Sequence, residues 1–156
     1  MACEPALECG NPDGMSDKPS RNFMMKPDEQ PPFAGLMGMK IIHVSPEKVT
    51  AEMTVTNKLT NRNGVLHGGA LMAFADNLGG TAATANLPAS GGSTATIESK
   101  TNFFAGIPQG DVAKAECTPL HRGRTTTVWQ TRITRGDGKL AAIVTQTQLM
   151  MQKPTS

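Results

Sequence analysis

Asn61-Arg62-Asn63-Gly64-Val65-Leu66-His67-Gly68-Gly69-Ala70-Leu71-Met72-Ala73-Phe74-Ala75-Asp76-Asn77-Leu78-Gly79-Gly80, running on through alanines to Leu87, is the stretch that decides the fold. Apolar residues at helical spacing put Leu71, Phe74, Leu78, Ala82 and Ala85 on one stripe, which predicts one buried or half-buried helix from about Gly68 to Asn86. Asp76 lies on the other side, sharing a face of small residues with Gly69, Met72, Ala73, Gly80 and Ala83. Leaving His67 aside, it is the only formally charged residue between Arg62 and Glu98. A lone carboxylate on a close-packing face needs a partner or a use, because burying it unpaired is expensive.

The start of the helix offers a second feature. Gly68 and Gly69 follow His67 where the first helical N–H groups have no partner inside the helix, and residues without side chains let a ligand oxygen approach them. Such a terminus suits a negative or developing-negative oxygen. Asp76 is seven positions beyond Gly69, which at roughly 1.5 Å per residue is about 10 Å along the helix. One helix cannot easily apply both groups to one atom, whereas two antiparallel copies can. The expectation is a two-fold dimer with sites shared between subunits.

At 156 residues the chain has room for one domain. A formal charge of +2, with scattered charges, gives no footprint for nucleic acid. The first 30 residues combine proline, glycine, serine and the acids Glu4, Glu8, Asp13 and Asp17, the composition of a disordered leader rather than of a secretion signal. With no run of about 20 apolar residues to span a membrane, a soluble cytoplasmic protein is expected. Cys3, Cys9 and Cys117 form neither a disulfide framework nor a zinc pattern, and His43, His67 and His121 are not spaced as metal ligands. No metal site is expected. Cys117 reads as a half-buried thiol, with a nucleophilic role as the alternative.

From residue 31 to 152 the pattern is that of the folded domain. Phe33, Leu36 and Met37 fit a short helix or turn, and Met39 to Val44 a first strand. Lys48 to Thr56 is a second, with Val49, Ala51, Met53 and Val55 facing in. Ser93–Phe104, Asp111–Pro119, Thr125–Thr134 and Leu140–Met151 read as four more, the last pair joined by Gly136-Asp137-Gly138. Two strands, a long helix and four strands make an α+β order, with a mostly antiparallel sheet wrapping one helix.

Asp76 reads either as a structural carboxylate, paired or capping a helix, or as a base or nucleophile. His67 either fixes its loop by a hydrogen bond or handles protons. Asn61 either caps the loop or holds a water molecule. Thr96 is a strand residue with a hydroxyl on one sheet face. Arg122 and Arg124, around Gly123, suit phosphate groups or a solvated loop.

Asn61-x-x-Gly64-x-x-His67-Gly68-Gly69 and Asp76, with Thr96-Ile97-Glu98-Ser99-Lys100-Thr101-Asn102-Phe103 and Arg122-Gly123-Arg124, resemble the hot-dog-fold acyl-CoA thioesterases. The branch is phenylacetyl-CoA thioesterase-like, within the 4-hydroxybenzoyl-CoA thioesterase superfamily. The resemblance covers roughly Pro31 to Met151. It implies a five- or six-stranded antiparallel sheet around a central helix, subunits that join their sheets, and dimers that commonly pair into tetramers. It also implies hydrolysis of an aromatic or short- to medium-chain acyl-CoA to the free acid and coenzyme A, with coenzyme A part of the substrate and no separate cofactor.

By the same resemblance Gly68, with Gly69 beside it, gives a backbone N–H to the thioester oxygen, and Asp76 of the partner subunit activates water or attacks the carbonyl. Asn61 and Thr96, or Thr94 if the preceding loop shifts by two, position substrate and water. Arg122 and Arg124 anchor coenzyme A phosphates. Hydratases of similar fold use His five residues after Asp; here that residue is Thr81. A non-catalytic acyl-CoA-binding module is the alternative. Met72, Phe103 and Phe104 are candidates to line the acyl pocket, and Phe33 and Leu36 either close the site or pack on the sheet.

Overall fold

The structure, a computed structural model, describes residues 30–152. The leader expected before Gln30, with Cys3 and Cys9, lies outside the described residues. The short helix α1 (Pro32–Met37) starts with proline at its first position, where the missing N–H costs nothing, and stops at Gly38, whose φ of 71° only glycine adopts cheaply. Strands β1 (Met39–Val44) and β2 (Val49–Thr54) follow, then a 3-10 turn at Asn57–Leu59 and the long helix α2 (Gly68–Ala85). The remaining strands are β3 (Gly92–Phe103), β4 (Val112–Arg122), β5 (Thr126–Thr134) and β6 (Leu140–Gln152).

All six strands form one antiparallel sheet in the order β1-β2-β4-β5-β6-β3, and α2 packs against every one of them. This is the hot-dog arrangement, and the α+β expectation matches it. Strand alternation explains the core: Val49, Ala51 and Met53 of β2, Ala113, Ala115 and Cys117 of β4, Trp129 and Ile133 of β5, and Ala142 and Val144 of β6 are all buried. From the helix, Leu71, Phe74, Leu78 and Ala82 meet them as the spacing predicts. The buried face is wider than that stripe, taking in Ala75, Gly79 and Ala83 as well, because the curved sheet covers more than one line of the helix. Ala83, expected on the face of Asp76, is fully buried, while Asp76 itself is exposed in the single chain.

The strand ends shift by one to three residues. β4 runs on to Arg122 through a bulge between Pro119 and His121, which carries the arginine pair to the end of the sheet. β3 forms one edge of the sheet and bulges between Thr96 and Glu98, which turns Thr96 toward the helix side. Among the described residues no helix is long and apolar enough to cross a membrane.

Candidate active site

The loop entering α2 is held by short-range bonds. Asn61 takes the N–H of Asn63 on its side-chain oxygen at 2.9 Å, its carbonyl takes the Gly64 N–H at 3.0 Å, and its own N–H goes to Val65 at 2.9 Å. Of its two readings, the loop cap is the one this geometry contains. Asn61 also faces a cavity of about 340 Å³ together with Gly68, Leu71, Phe103 and Phe104.

His67 is the N-cap of α2. Its N–H bonds the Leu59 carbonyl at 2.8 Å, and its Nδ1 accepts the Gly69 N–H at 2.9 Å, so a neutral ring carries its proton on Nε2. This is the loop-fixing bond of the two readings of His67, and it distinguishes the two glycines that follow. The Gly69 N–H is taken by His67, whereas no acceptor among the described residues takes that of Gly68. No acidic residue stands in the first turn, so the positive end of the helix dipole is left for a ligand. A second cavity of about 410 Å³ lies on the Gly69 side, walled by Phe33, Leu36, Met37, Leu59 and His67. Phe33 and Leu36, both largely exposed, line this pocket, while Met72 lines neither cavity.

Asp76 projects from the middle of α2 into a set of neutral donors. Its Oδ1 accepts the Thr96 hydroxyl at 2.8 Å and the Gln146 amide at 2.8 Å, and the Thr96 Oγ1 in turn accepts the Gln148 amide at 2.8 Å. No hydrogen-bond donor among the described residues reaches Oδ2. Thr96 rather than Thr94 is the hydroxyl at the site, and its one proton is committed to Asp76. Its contact is thus with the carboxylate rather than with a substrate carbonyl. The basic partner or helix cap that a structural Asp76 would have is absent among the described residues. Sequence reasoning does not single out Gln146 and Gln148, although period two along β6 puts them on the buried face of Ala142 and Val144.

Gly68 and Asp76 are eight positions apart, about 12 Å along one helix, so a single chain does not bring them together. Arg122 closes β4 in the row that runs through Thr127 and Gln148 to Thr96, and Arg124 follows in the β4–β5 turn. Arg122 makes a two-point ion pair with Glu47, which raises its pKa and holds the Glu47 carboxyl below its usual range; its guanidinium also lies 6.0 Å from the Trp129 ring centre. Cys117 is fully buried, and burial pushes its thiol up to about 11, which removes the thiolate a nucleophile needs. Among the described residues no three His, Cys, Asp or Glu side chains gather as metal ligands.

Comparison with known proteins supplies the family. The family model described as Thioesterase superfamily matches residues 63–142. The Pseudomonas aeruginosa protein PA1618 is 32% identical over 116 residues, 74% of this chain and 79% of that protein. The crystal structure of a mutant of this thioesterase superposes with a TM-score of 0.73 at 30% identity, covering 78% of this chain and 86% of that one. The 1,4-dihydroxy-2-naphthoyl-CoA hydrolase of Escherichia coli K12 is 29% identical over 109 residues, 69% of this chain and 78% of that protein. A hypothetical thioesterase of Streptococcus pneumoniae TIGR4, solved with coenzyme A, superposes with a TM-score of 0.68 at 25% identity over 75% of this chain and 88% of that one. The match runs through the helix that carries both Gly68 and Asp76, and the chain belongs to the Thioesterase superfamily as a thioester hydrolase of the hot-dog fold.

Proposed function

We propose that the protein hydrolyses an acyl-CoA carrying an aromatic or short- to medium-length acyl group, in a dimer whose sites each combine Gly68 of one subunit with Asp76 of the other. The observation that carries this reading is a pair of half-satisfied groups on one helix: a backbone donor at Gly68 with no acceptor among the described residues, and a carboxylate with one oxygen held and, among those residues, one open. Coenzyme A as the carrier is supported by the relatives that act on or bind it, and an aromatic or modest acyl group by the apolar cavity walls of Phe103 and Phe104.

Edge strand β3 supports the dimer. Thr96 touches Asp76, and Phe103 lies beside Gly68, where an added Cβ would meet its ring at 3.4 Å. Antiparallel pairing of two β3 strands about a two-fold axis near the middle of the strand sets the Thr96 end of one copy beside the Phe103 end of the other. That register brings each Asp76 to the other copy's Gly68 and continues the sheet across an otherwise open edge. Pairing of dimers into tetramers remains part of the proposal through family likeness.

In the shared site the thioester oxygen accepts the Gly68 N–H, which stabilises the charge it gains as the carbonyl is attacked. The open Asp76 oxygen takes a proton from water as the water oxygen bonds the acyl carbon; the carbon–sulfur bond then breaks and that proton passes to the departing thiolate, giving free acid and coenzyme A. In the alternative the Asp76 oxygen bonds the acyl carbon itself and the carbon–sulfur bond breaks to leave an anhydride, which water cleaves to free acid and regenerated Asp76 while the water proton goes to the thiolate. Arg122 and Arg124 are the proposed phosphate anchors, with Glu47 displaced from Arg122 on binding. No resident cofactor enters this scheme, since coenzyme A arrives with the substrate.

The test is thiol release from a panel of aromatic, short and medium-chain acyl-CoAs by native protein, Asp76→Ala and Asp76→Asn, each checked for folding and dimerisation. Native turnover with a loss on the order of 100-fold or more in both variants is expected. Variants as active as native protein would remove Asp76 from the chemistry, and tight coenzyme A binding without any turnover would make the protein a binding module.

A further inference from the structure

Gln146 and Gln148 are buried amides, 0% and 1% exposed, the two largest polar side chains in the layer between sheet and helix. An ionised carboxylate only accepts hydrogen bonds, so both contacts to Asp76 Oδ1 must be donated, which fixes the chain of donors: Gln148 amide to Thr96 oxygen, Thr96 hydroxyl to Asp76, and Gln146 amide to Asp76. The same requirement turns the Gln146 Oε1 inward, where it has no partner among the described residues. An orphaned buried carbonyl is a cost the fold would avoid if packing alone set this position. Room for it comes from Gly79, where any Cβ would collide with that oxygen.

We propose that Gln146 and Gln148 are positioning residues that hold Asp76 by Oδ1, directly and through Thr96, so that Oδ2 alone meets water or substrate. The inference rests on the reading of Asp76 as the reacting carboxylate. Two donors on one oxygen remove the rotational freedom that would swap the two, and they do so without cancelling the charge as a cation would. Within its own chain Asp76 is the sole charged residue of α2, β6 has none, and Glu98 of β3 takes the Thr147 hydroxyl at 3.4 Å, at a position alternating away from Gln146 and Gln148. Lys100, also on β3, lies four positions beyond Thr96.

The test compares native protein with Gln146→Met, Gln148→Met, Gln146→Glu and Asp76→Asn in steady-state thiol release across pH, beside thermal melts. Gln146→Met should lower kcat on the order of ten- to a hundredfold with KM within about twofold, while its melting temperature holds or rises because the orphan oxygen is gone. Gln148→Met, acting through Thr96, should lose less. Gln146→Glu should gain a descending limb at higher pH that native protein lacks, because a protonated Glu can donate to Asp76 and an ionised one repels it. Native kcat in Gln146→Met with an inactive Asp76→Asn would overturn the inference and leave the reading of Asp76 intact. Should Gln146→Met fail to fold, a Gln146→Glu pH profile that superimposes on the native one overturns it equally. Native protein that releases no thiol takes away the reading on which the inference stands.

Discussion

The two ends of the chemistry on α2 are held in opposite ways. At Gly68 the polar groups are tied by neighbours in the chain: His67 takes the N–H two residues ahead, and Asn61 folds its side chain onto the N–H two residues on. At Asp76 every bond comes from across the sheet, from residues 20 and 70 positions away, with a further one 52 positions from Thr96. Local bonds consume their groups and leave one backbone donor open by default. Long-range bonds instead grip one oxygen of a side chain and leave the other open. A mouth built from local turns can tolerate changes in the surrounding fold, whereas the carboxylate depends on the register of β3, β6 and α2 together.

The largest expected effect separates these two ends. Gly68→Pro deletes the open N–H at a position where proline suits a helix: it is the first residue of α2, and His67 before it is already extended, at φ −64° and ψ 135°. The fold should survive while kcat falls on the order of 100- to 1000-fold. Mixed and reassorted with Asp76→Asn, the two inactive proteins should recover activity, because a mixed dimer pairs an intact Gly68 with an intact Asp76 in one of its two sites. Random reassortment predicts roughly a quarter of native activity. Mixtures that stay inactive although exchange is shown would put both groups to work within one subunit and break the comparison.

Next comes Gly79→Ala, which leaves both ends untouched and strikes the support beneath one of them. Its methyl group collides with Gln146 Oε1, so either the amide or the helix must move, at a cost of roughly 1–3 kcal/mol by overpacking. Activity should fall by about tenfold or more with KM little changed, whereas Gly80→Ala, whose new methyl meets nothing within 4 Å, should behave as native in stability.

The difference between local and long-range support is also why the sequence was legible in part. Helical and strand periods disclosed α2, the inward face of β2 and the order of elements, since these are properties of neighbouring residues. His67 and Asn61 were open to reading for the same reason. Gln146 and Gln148 were not, because glutamine in a strand reads as solvent-facing until the strand's register places it over a helix. The same holds for Glu47, which sits 75 positions from the arginine it pairs with. The wide buried face of α2 likewise depends on sheet curvature, which no single window of sequence contains.

A smaller effect tests what the core itself does to charge. Cys117 faces the same interior, and burial, outweighing the opposing effect of Thr131, pushes its thiol from 9.0 to about 11. Native protein should resist alkylation at this residue at pH 8, where the unfolded chain reacts readily. Because the folded thiol keeps its proton to higher pH than the unfolded one, its contribution to stability is complete below about pH 9. It is then lost as pH rises toward 11, by about 2–3 kcal/mol. Cys117→Ala should remove that part of the alkaline decline in melting temperature. Its persistence unchanged would mean that the thiol is not what titrates.

The smallest effect concerns the charge held by a charge. Arg122 is neutralised by Glu47 on the surface, so little stability is at stake there, and Glu47→Ala should leave the melting temperature where it was. What changes is availability: the guanidinium, no longer occupied, can meet an anionic ligand without first giving up a partner. Coenzyme A should therefore bind Glu47→Ala a few-fold more tightly than native protein, with the gain fading as salt screens the pair, while Arg122→Ala binds more weakly. Isothermal titration at two salt concentrations reads both. If Glu47→Ala and native protein bind coenzyme A alike, the Arg122–Glu47 pair lies off the path of the phosphates, and the anchoring role would fall to Arg124, which has no ion pair among the described residues. An ion pair can only release its charge by breaking, whereas the amides around Asp76 hold a charge that stays available throughout; that is the physical reason a reacting carboxylate is better gripped by glutamine than by arginine.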